Sequence, residues 1–205
     1  MARYTGPVCR LCRRERMKLF LKGPKCDTMR CPIERRPYPP GMHGRGRSRE
    51  SEYLFQLREK QKCRRIYGLL EKQFKLIYNK ANKQPGVTGE NLLRLLELRI
   101  DNVVFRAGYA SSRNQARQFV RHGHVAVNGK RVTIPSFMVR KDDVIDMAPK
   151  AQEMIVLRHN LDTIDRQVPM WLDMTDGKAT VRDLPLRDQI DVPVREQLIV
   201  ELYSK

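Results

Sequence analysis

The sequence predicts an α+β fold, in which a short stapled extension precedes a mainly helical domain and a small α/β module with a β-hairpin. Three observations predict it. Residues 51–107 carry apolar side chains at helical spacing, free of proline except at Pro85. Residues 124–147 switch to short β-branched runs around Asn128-Gly129, the strongest short hairpin signal. Residues 1–50 show neither period, yet hold Cys9, Cys12, Cys26 and Cys31 in the pattern C-x2-C-x13-C-x4-C. Two close cysteine pairs separated by a loop can bring four thiolates around one ion, so the extension reads as metal-stapled.

The elements follow in chain order. The stretch Arg35-Arg36-Pro37-Tyr38-Pro39-Pro40-Gly41 is turn-forming and cannot continue a helix. Ser51 to Arg65 lacks Gly and Pro and is dense in good helix formers. Gly68 interrupts it. A second helix places Leu70, Phe74, Ile77 and Tyr78 on one face and ends at Pro85-Gly86. Leu92 to Ala107 is amphipathic, with a possible break near Asp101-Asn102, and Gly108 stops it. Ser112-Arg113-Asn114-Gln115 has the form of a capping box. The helix it opens buries Ala116, Phe119 and Val120 and ends at Gly123. Strands follow at 125–127, 130–132 and 144–147. Residues 151–164 read as one helix, then short strands and turns follow Trp171, and a short helix or strand covers 194–202. No internal repeat is present.

The 205-residue chain carries a formal charge of +18. Residues 1–65 contribute +13, residues 66–150 contribute +8, and residues 151–205 contribute −3. Such a balance favours a polyanion, with nucleic acid the commonest, and places its contacts in the first two-thirds. No apolar run approaches the roughly 20 residues of a spanning helix, and the polar, basic start is not a signal peptide. The expectation is a cytoplasmic protein without a membrane partner, where clustered cysteines mean metal rather than disulfide.

A site of four thiolates has no open position for a substrate water, so the ion would be structural. One zinc fits; an iron–sulfur cluster is the alternative that spacing leaves open. Arg10, Arg13, Arg14, Lys25 and Arg30 can offset the charge of the site. Cys63 lies outside the pattern and reads as a small buried hydrophobe. Arg113, Arg117 and Arg121 recur at i, i+4 and i+8, with no acid at i±4 to pair with them. This stripe, beside Lys130 and Arg131 at the hairpin, would track RNA phosphates. Arg58, Lys62 and Arg65 form a second stripe, with Arg64 beside it and Glu59 able to pair with part of the charge. Arg35, Arg36, His43, Arg45, Arg47 and Arg49 in the Pro/Gly-rich stretch, and His122 at a helix-to-strand turn, complete the candidate RNA contacts. Tyr53, Phe55 and Tyr67 could stack on bases, with core packing the expected role. No catalytic triad, phosphate-cradling glycine loop or small-molecule substrate site is evident.

The run from Ser111 through Arg121-His122-Gly123-His124 to Val132 resembles the small RNA-binding module of the bacterial uS4 family of ribosomal proteins, a module shared with pseudouridine synthases and tyrosyl-tRNA synthetases. The segments 35–44, 57–62, 64–68, 99–104 and 193–205 resemble the ribosomal family in particular, so the likeness covers nearly the whole chain. It implies a non-enzymatic constituent of the small ribosomal subunit. Such a protein binds small-subunit ribosomal RNA directly, nucleates assembly, and influences translational accuracy through its neighbour uS5. It further implies a helical domain at 51–91 completed by 185–205, following the extension at 1–50. An inserted domain at 92–184 would hold the RNA-binding module at about 95–150. The four cysteines would mark a zinc-type variant. One departure is visible: Lys141-Asp142-Asp143 replaces the family's Pro-Gly-Asp turn, which leaves the turn's geometry open to change.

Two other readings compete. Leu98-Arg99-Ile100-Asp101 is similar to the aspartate motif of pseudouridine synthases, but lacks the preceding Gly and following Thr-Ser-Gly, so a structural ion pair or cap is expected at Asp101. A zinc-dependent DNA-binding regulator would need a base-reading helix next to the metal, where this chain has a Pro/Gly-rich segment.

Overall fold

A computed structural model of the chain describes residues 2–46, 51–164 and 166–204. Two compact units divide it: residues Met1–Leu92 with Val192–Lys205, and residues Leu93–Asp191. No helix among the described residues is long and apolar enough to cross a membrane.

The first unit begins with α1 (Cys9–Glu15) and α2 (Pro32–Arg35), joined by a 3-10 turn at Gly23–Cys26. The long helix α3 (Glu52–Ile66) follows, its first turn capped by the Ser51 hydroxyl, which accepts from the Leu54 N–H at 3.3 Å. A turn at Gly68 (φ 66°) leads into α4 (Glu71–Asn82), which buries Phe74, Tyr78 and Ala81. The C-terminal helix α10 (Glu196–Ser204) returns onto α3. Side chains fix that return: Gln56 donates to Glu201 at 3.0 Å, Lys62 donates to the Pro193 carbonyl at 3.1 Å, and the Tyr203 hydroxyl donates to Glu71 at 2.9 Å. The Tyr203 ring lies 4.5 Å from that of Tyr78, and Gly89 sits where any Cβ would come within 2.7 Å of Glu196.

Glu71 takes its charge environment from the same junction. Burial works against its carboxylate, but Lys60 at 2.7 Å, Tyr203 and Arg64 outweigh it and hold the pKa below the ordinary 4.5. A depressed folded-state pKa stabilises the fold above the unfolded value, and that contribution is lost as pH falls through the folded value. Acid titration of Glu71→Gln is therefore expected to show a shallower loss of stability below about pH 4.5 than the parent.

The second unit holds one apolar core. Helix α5 (Thr88–Glu97) runs into it, and α6 (Ile100–Arg106) and α7 (Arg113–Arg121) pack on each other. The helix expected over 92–107 is thus two helices, broken at Leu98-Arg99 rather than at Asp101-Asn102. The Leu98 carbonyl accepts from the Val139 N–H at 2.9 Å and Arg99 bridges to Met138, so the backbone leaves the helix to pair with another segment. The sheet is antiparallel throughout, in the order β2-β1-β3-β5-β4, from β1 (Val125–Val127), β2 (Lys130–Val132), β3 (Val144–Met147), β4 (Leu172–Thr175) and β5 (Lys178–Val181). Val125, Val127, Ile145, Met147, Ala179 and Val181 alternate onto its inner face, against Ala116, Phe119 and Val120 of α7. Each fully buried side chain of this kind is worth about 1.5–3 kcal/mol.

Asn128 and Gly129 both take positive φ (51° and 76°), the conformation of the expected hairpin turn. Asp176 and Gly177 repeat it (52° and 73°) between β4 and β5. The helix expected over 151–164 is instead α8 (Pro149–Gln152) and α9 (Ile155–Thr163), separated at Glu153-Met154. At the departure noted above, Asp142 adopts φ 67°, the left-handed conformation a glycine would supply. Its N–H donates to the Val181 carbonyl at 2.8 Å. The Asp143 carboxylate accepts from the Arg140 N–H at 2.7 Å and from Asn128 at 2.8 Å. Local hydrogen bonds thus offset the strain of a non-glycine there.

Candidate nucleic-acid interface

In the first unit, Cys9 and Cys12 lie three residues apart on one face of α1. Cys26 closes the 3-10 turn, and Cys31 stands as the N-cap of α2. All four line one cavity with Leu21 and Ile33, of about 10 Å³, room for one water-sized occupant. The Lys22 N–H donates to the Cys26 sulfur at 3.3 Å. Burial pushes the Cys12 thiol up, opposed by the Leu19 N–H and reinforced by the other three sulfurs; burial likewise raises Cys26. Among the described residues, no three His, Cys, Asp or Glu side chains are already drawn together as a metal ligand group. The cavity's lining is mostly apolar around these sulfurs. Cys63 is fully buried on α3, packed as an apolar side chain.

The cysteine-bearing segment is tied down by charge. The Glu15 carboxylate is almost wholly buried and accepts from Arg58 at 3.3 Å and from Arg65. Lys62 pairs with Glu59 at 2.5 Å and Arg64 with Glu71 at 3.3 Å. The stripe Arg58, Lys62 and Arg65 expected to face RNA is half-buried and paired with acids, Arg58 and Arg65 with Glu15 of α1 and Lys62 with Glu59 of its own helix. Tyr53 and Phe55, expected in the core, are more than half exposed, and Tyr67 is buried. On α1, Arg10 is exposed. Arg13 donates to the carbonyls of Arg36 (3.1 Å) and Tyr38 (3.0 Å), and Arg14 donates to that of Pro40 (3.4 Å). These arginines brace the Pro/Gly loop as well as facing solvent. Arg35, Arg36, His43 and Arg45 are exposed. Arg47 and Arg49 lie outside the described residues.

In the second unit the expected three-arginine stripe divides. Arg117 is buried and pairs with Asp101 at 3.3 Å, while Arg99 grips the same carboxylate through bonds of 3.0 and 2.6 Å. Asp101 is thus the centre of a structural ion-pair cluster, as the ion-pair reading expects. Arg113 is half-buried, donating to Asn102 at 2.8 Å and lying 4.4 Å over the Phe105 ring. Arg121, His122, Lys130 and Arg131 are exposed, and Arg131 reaches the end of α7. Arg131 donates to the His122 carbonyl at 3.2 Å and lies flat over Gly123, where an added Cβ would come within 1.9 Å of its Nε. Gly123 also has φ +72°. Gly123→Ala is expected to cost about 1–2 kcal/mol, to displace the Arg131 guanidinium, and to weaken RNA binding in gel-shift assays.

Sequence reasoning passed over Arg166. Its guanidinium lies 3.7 Å over Phe105, on which Arg113 also packs, and donates to the Phe105 and Ala110 carbonyls at 2.5 and 3.2 Å. It also missed the exposed Arg16, Arg140 and Lys141, because isolated basic residues in turns carry no periodic signal.

Comparison with known proteins agrees with this geometry. Residues 3–97 match the model of the ribosomal protein S4/S9 N-terminal domain, and residues 98–145 match the S4 domain. The small ribosomal subunit protein uS4 of Acidothermus cellulolyticus is 60% identical, that of Frankia casuarinae 59%, and that of Pelotomaculum thermopropionicum 58%. Each alignment spans 100% of both chains. With both family domains in order and full-length identity of this size, the chain belongs to the uS4 family of ribosomal proteins.

Proposed function

We propose that this protein is a structural constituent of the small ribosomal subunit that binds small-subunit ribosomal RNA through phosphate contacts. It is not an enzyme, and its place is the cytoplasmic ribosome. The observation that carries the reading is the full-length 60% identity to a protein named as a small ribosomal subunit protein. Exposed Arg121, Lys130 and Arg131 on the S4 module supply the chemistry. Arginine and lysine heads on a rigid helix and hairpin can follow a backbone whose shape, rather than sequence, is read. Asp101, locked between Arg99 and Arg117, offers no free carboxylate for uridine chemistry.

The finer roles are part of the same proposal. Binding would come early and nucleate assembly, and contact with the neighbouring protein uS5 would influence translational accuracy. The zinc-type assignment rests on the donor set. Cys9, Cys12, Cys26 and Cys31 would hold one structural zinc as thiolates, and the ion would reverse the upward push that burial gives Cys12 and Cys26. An iron–sulfur cluster would instead colour the purified protein. The proposed phosphate contacts in the first unit are Arg10, Arg14, Arg35, Arg36, His43 and Arg45. In the second unit they are Arg121, His122, Lys130 and Arg131.

Filter binding across a salt series tests the central reading. Neutralising five phosphates would give log K against log salt a slope of roughly −4, with small-subunit RNA preferred over unrelated RNA. A salt-independent affinity, or equal affinity for any RNA, would sink it.

A further inference from the structure

The loop at residues 37–46 encloses a cleft that no phosphate-tracking surface requires. Arg14, Arg16, Pro39, Pro40, Met42 and His43 line a cavity of about 260 Å³, and an adjoining cavity shares Arg16 and Pro39 and extends to Tyr38 and Arg45. Its size is near the lower end of ordinary small-ligand pockets, about 300 Å³. Among the described residues neither lining contains a carboxylate, and the cleft has proline walls and a rim carrying arginines.

The cleft is preformed. Arg13 and Arg14 hold the carbonyls of residues 36, 38 and 40 from α1. The loop closes on itself, with the Gly44 N–H donating to the Gly41 carbonyl at 3.2 Å and the Gly46 N–H to the His43 carbonyl at 3.0 Å. Glycine is required at 44, where a Cβ would lie 2.0 Å from the Pro39 carbonyl oxygen, and at 41, where φ is +110°. Arg16 takes left-handed φ (55°) as α1 ends, which turns the chain out of the helix beside the cleft. Arg45 lies 4.8 Å over the Tyr38 ring and donates to its hydroxyl at 3.4 Å, so its guanidinium plane is held in place.

The geometry points to a subsite for one unstacked nucleotide of the ribosomal RNA. Its phosphate sits at Arg14 and Arg16, and its base lies against the proline wall and the Arg45 plane. This rests on the RNA-binding reading above. A duplex backbone would touch the rim and leave the proline walls empty. Bulged or single-stranded nucleotides are those that RNA-binding proteins splay out and stack on such planes. An acidic peptide could satisfy the rim but gains nothing from a flat, stacked guanidinium.

The test uses the full-length protein with two small-subunit RNA fragments, one carrying an unpaired nucleotide and one with that nucleotide deleted to give continuous duplex. Arg16→Gln and Arg45→Gln leave the Arg13 and Arg14 braces in place. Each is expected to weaken the bulged fragment about tenfold and to weaken the continuous duplex several-fold less. Photo-crosslinking from a thiouridine at the bulge should map to residues 37–46. Equal losses on both fragments, crosslinks from paired positions only, or displacement of bulged RNA by polyglutamate as readily as by single-stranded RNA would overturn the subsite. Parent protein that fails to prefer small-subunit RNA at all would instead overturn the underlying function.

Discussion

Replacing Glu97 with alanine is expected to destabilise the second unit by about 3–5 kcal/mol, the cost of leaving a buried charge without its partner. Glu97 is fully buried at the end of α5 and accepts two bonds of 2.9 Å from Arg106 and one of 2.7 Å from Asn102. Without it, Arg106 keeps Asp191, at 2.6 Å, whose side chain is largely exposed. The single tryptophan, Trp171, is buried in the same core and reports on this unit alone. Its fluorescence transition in urea should fall by roughly 2 M at a slope near 2 kcal/mol/M. The double variant Glu97→Ala/Arg106→Met should recover part of the loss, because the buried guanidinium leaves with its carboxylate and the Asp191 side chain left behind is largely exposed. A single-variant loss below about 1 kcal/mol would contradict the assignment of this cluster as a structural keystone.

The second large effect is expected at the cysteines. Structural zinc in small peptides contributes apparent free energies of about 10–16 kcal/mol, which is folding energy for the segment that binds it. Cys12→Ser/Cys31→Ser, or chelation, should therefore open residues 2–46 to limited proteolysis. The Trp171 transition should stay where it is, since Trp171 packs in the other unit's core. RNA affinity should fall as well, because α1 carries the Arg13 and Arg14 braces of the loop and the Glu15 anchor to α3. Elemental analysis of the parent should return zinc on a colourless protein. Global unfolding on chelation, or proteolytic resistance of 2–46 in the serine variant, would contradict the stapling role.

Both effects bear on what could be read from the chain. Periodicity revealed α4 and α7 because each shows its core an apolar face, a run of good helix formers without Gly or Pro revealed α3, and Asn128-Gly129 revealed the first hairpin because few residues tolerate two positive φ values in succession. The four cysteines of the spacing pattern line one cavity, although among the described residues no three of them are drawn together as a ligand group. The partners of the arginine stripes lay beyond the reach of a helix pattern. A helix pattern reports neighbours within that helix, whereas the acids that claim Arg117, Arg58 and Arg65 are Asp101 and Glu15, on other elements. The exposure of Tyr53 and Phe55 was hidden for a related reason, since α3 is buried through Gln56 and Lys60 as much as through apolar residues. What stands out as candidate interface is exposed basic charge in turns and at element ends: Arg121 at the end of α7, Lys130 and Arg131 on the hairpin, and Arg45 on the Pro/Gly loop.

The central claim is that the protein is a fixed part of the small subunit held by RNA. Sucrose-gradient separation of ribosomal subunits with quantitative mass spectrometry tests it most directly. The account predicts the protein in the small-subunit fraction, stoichiometric with the other proteins there and retained through moderate salt washing. Substoichiometric recovery, or a protein found mainly in the free pool, would contradict it.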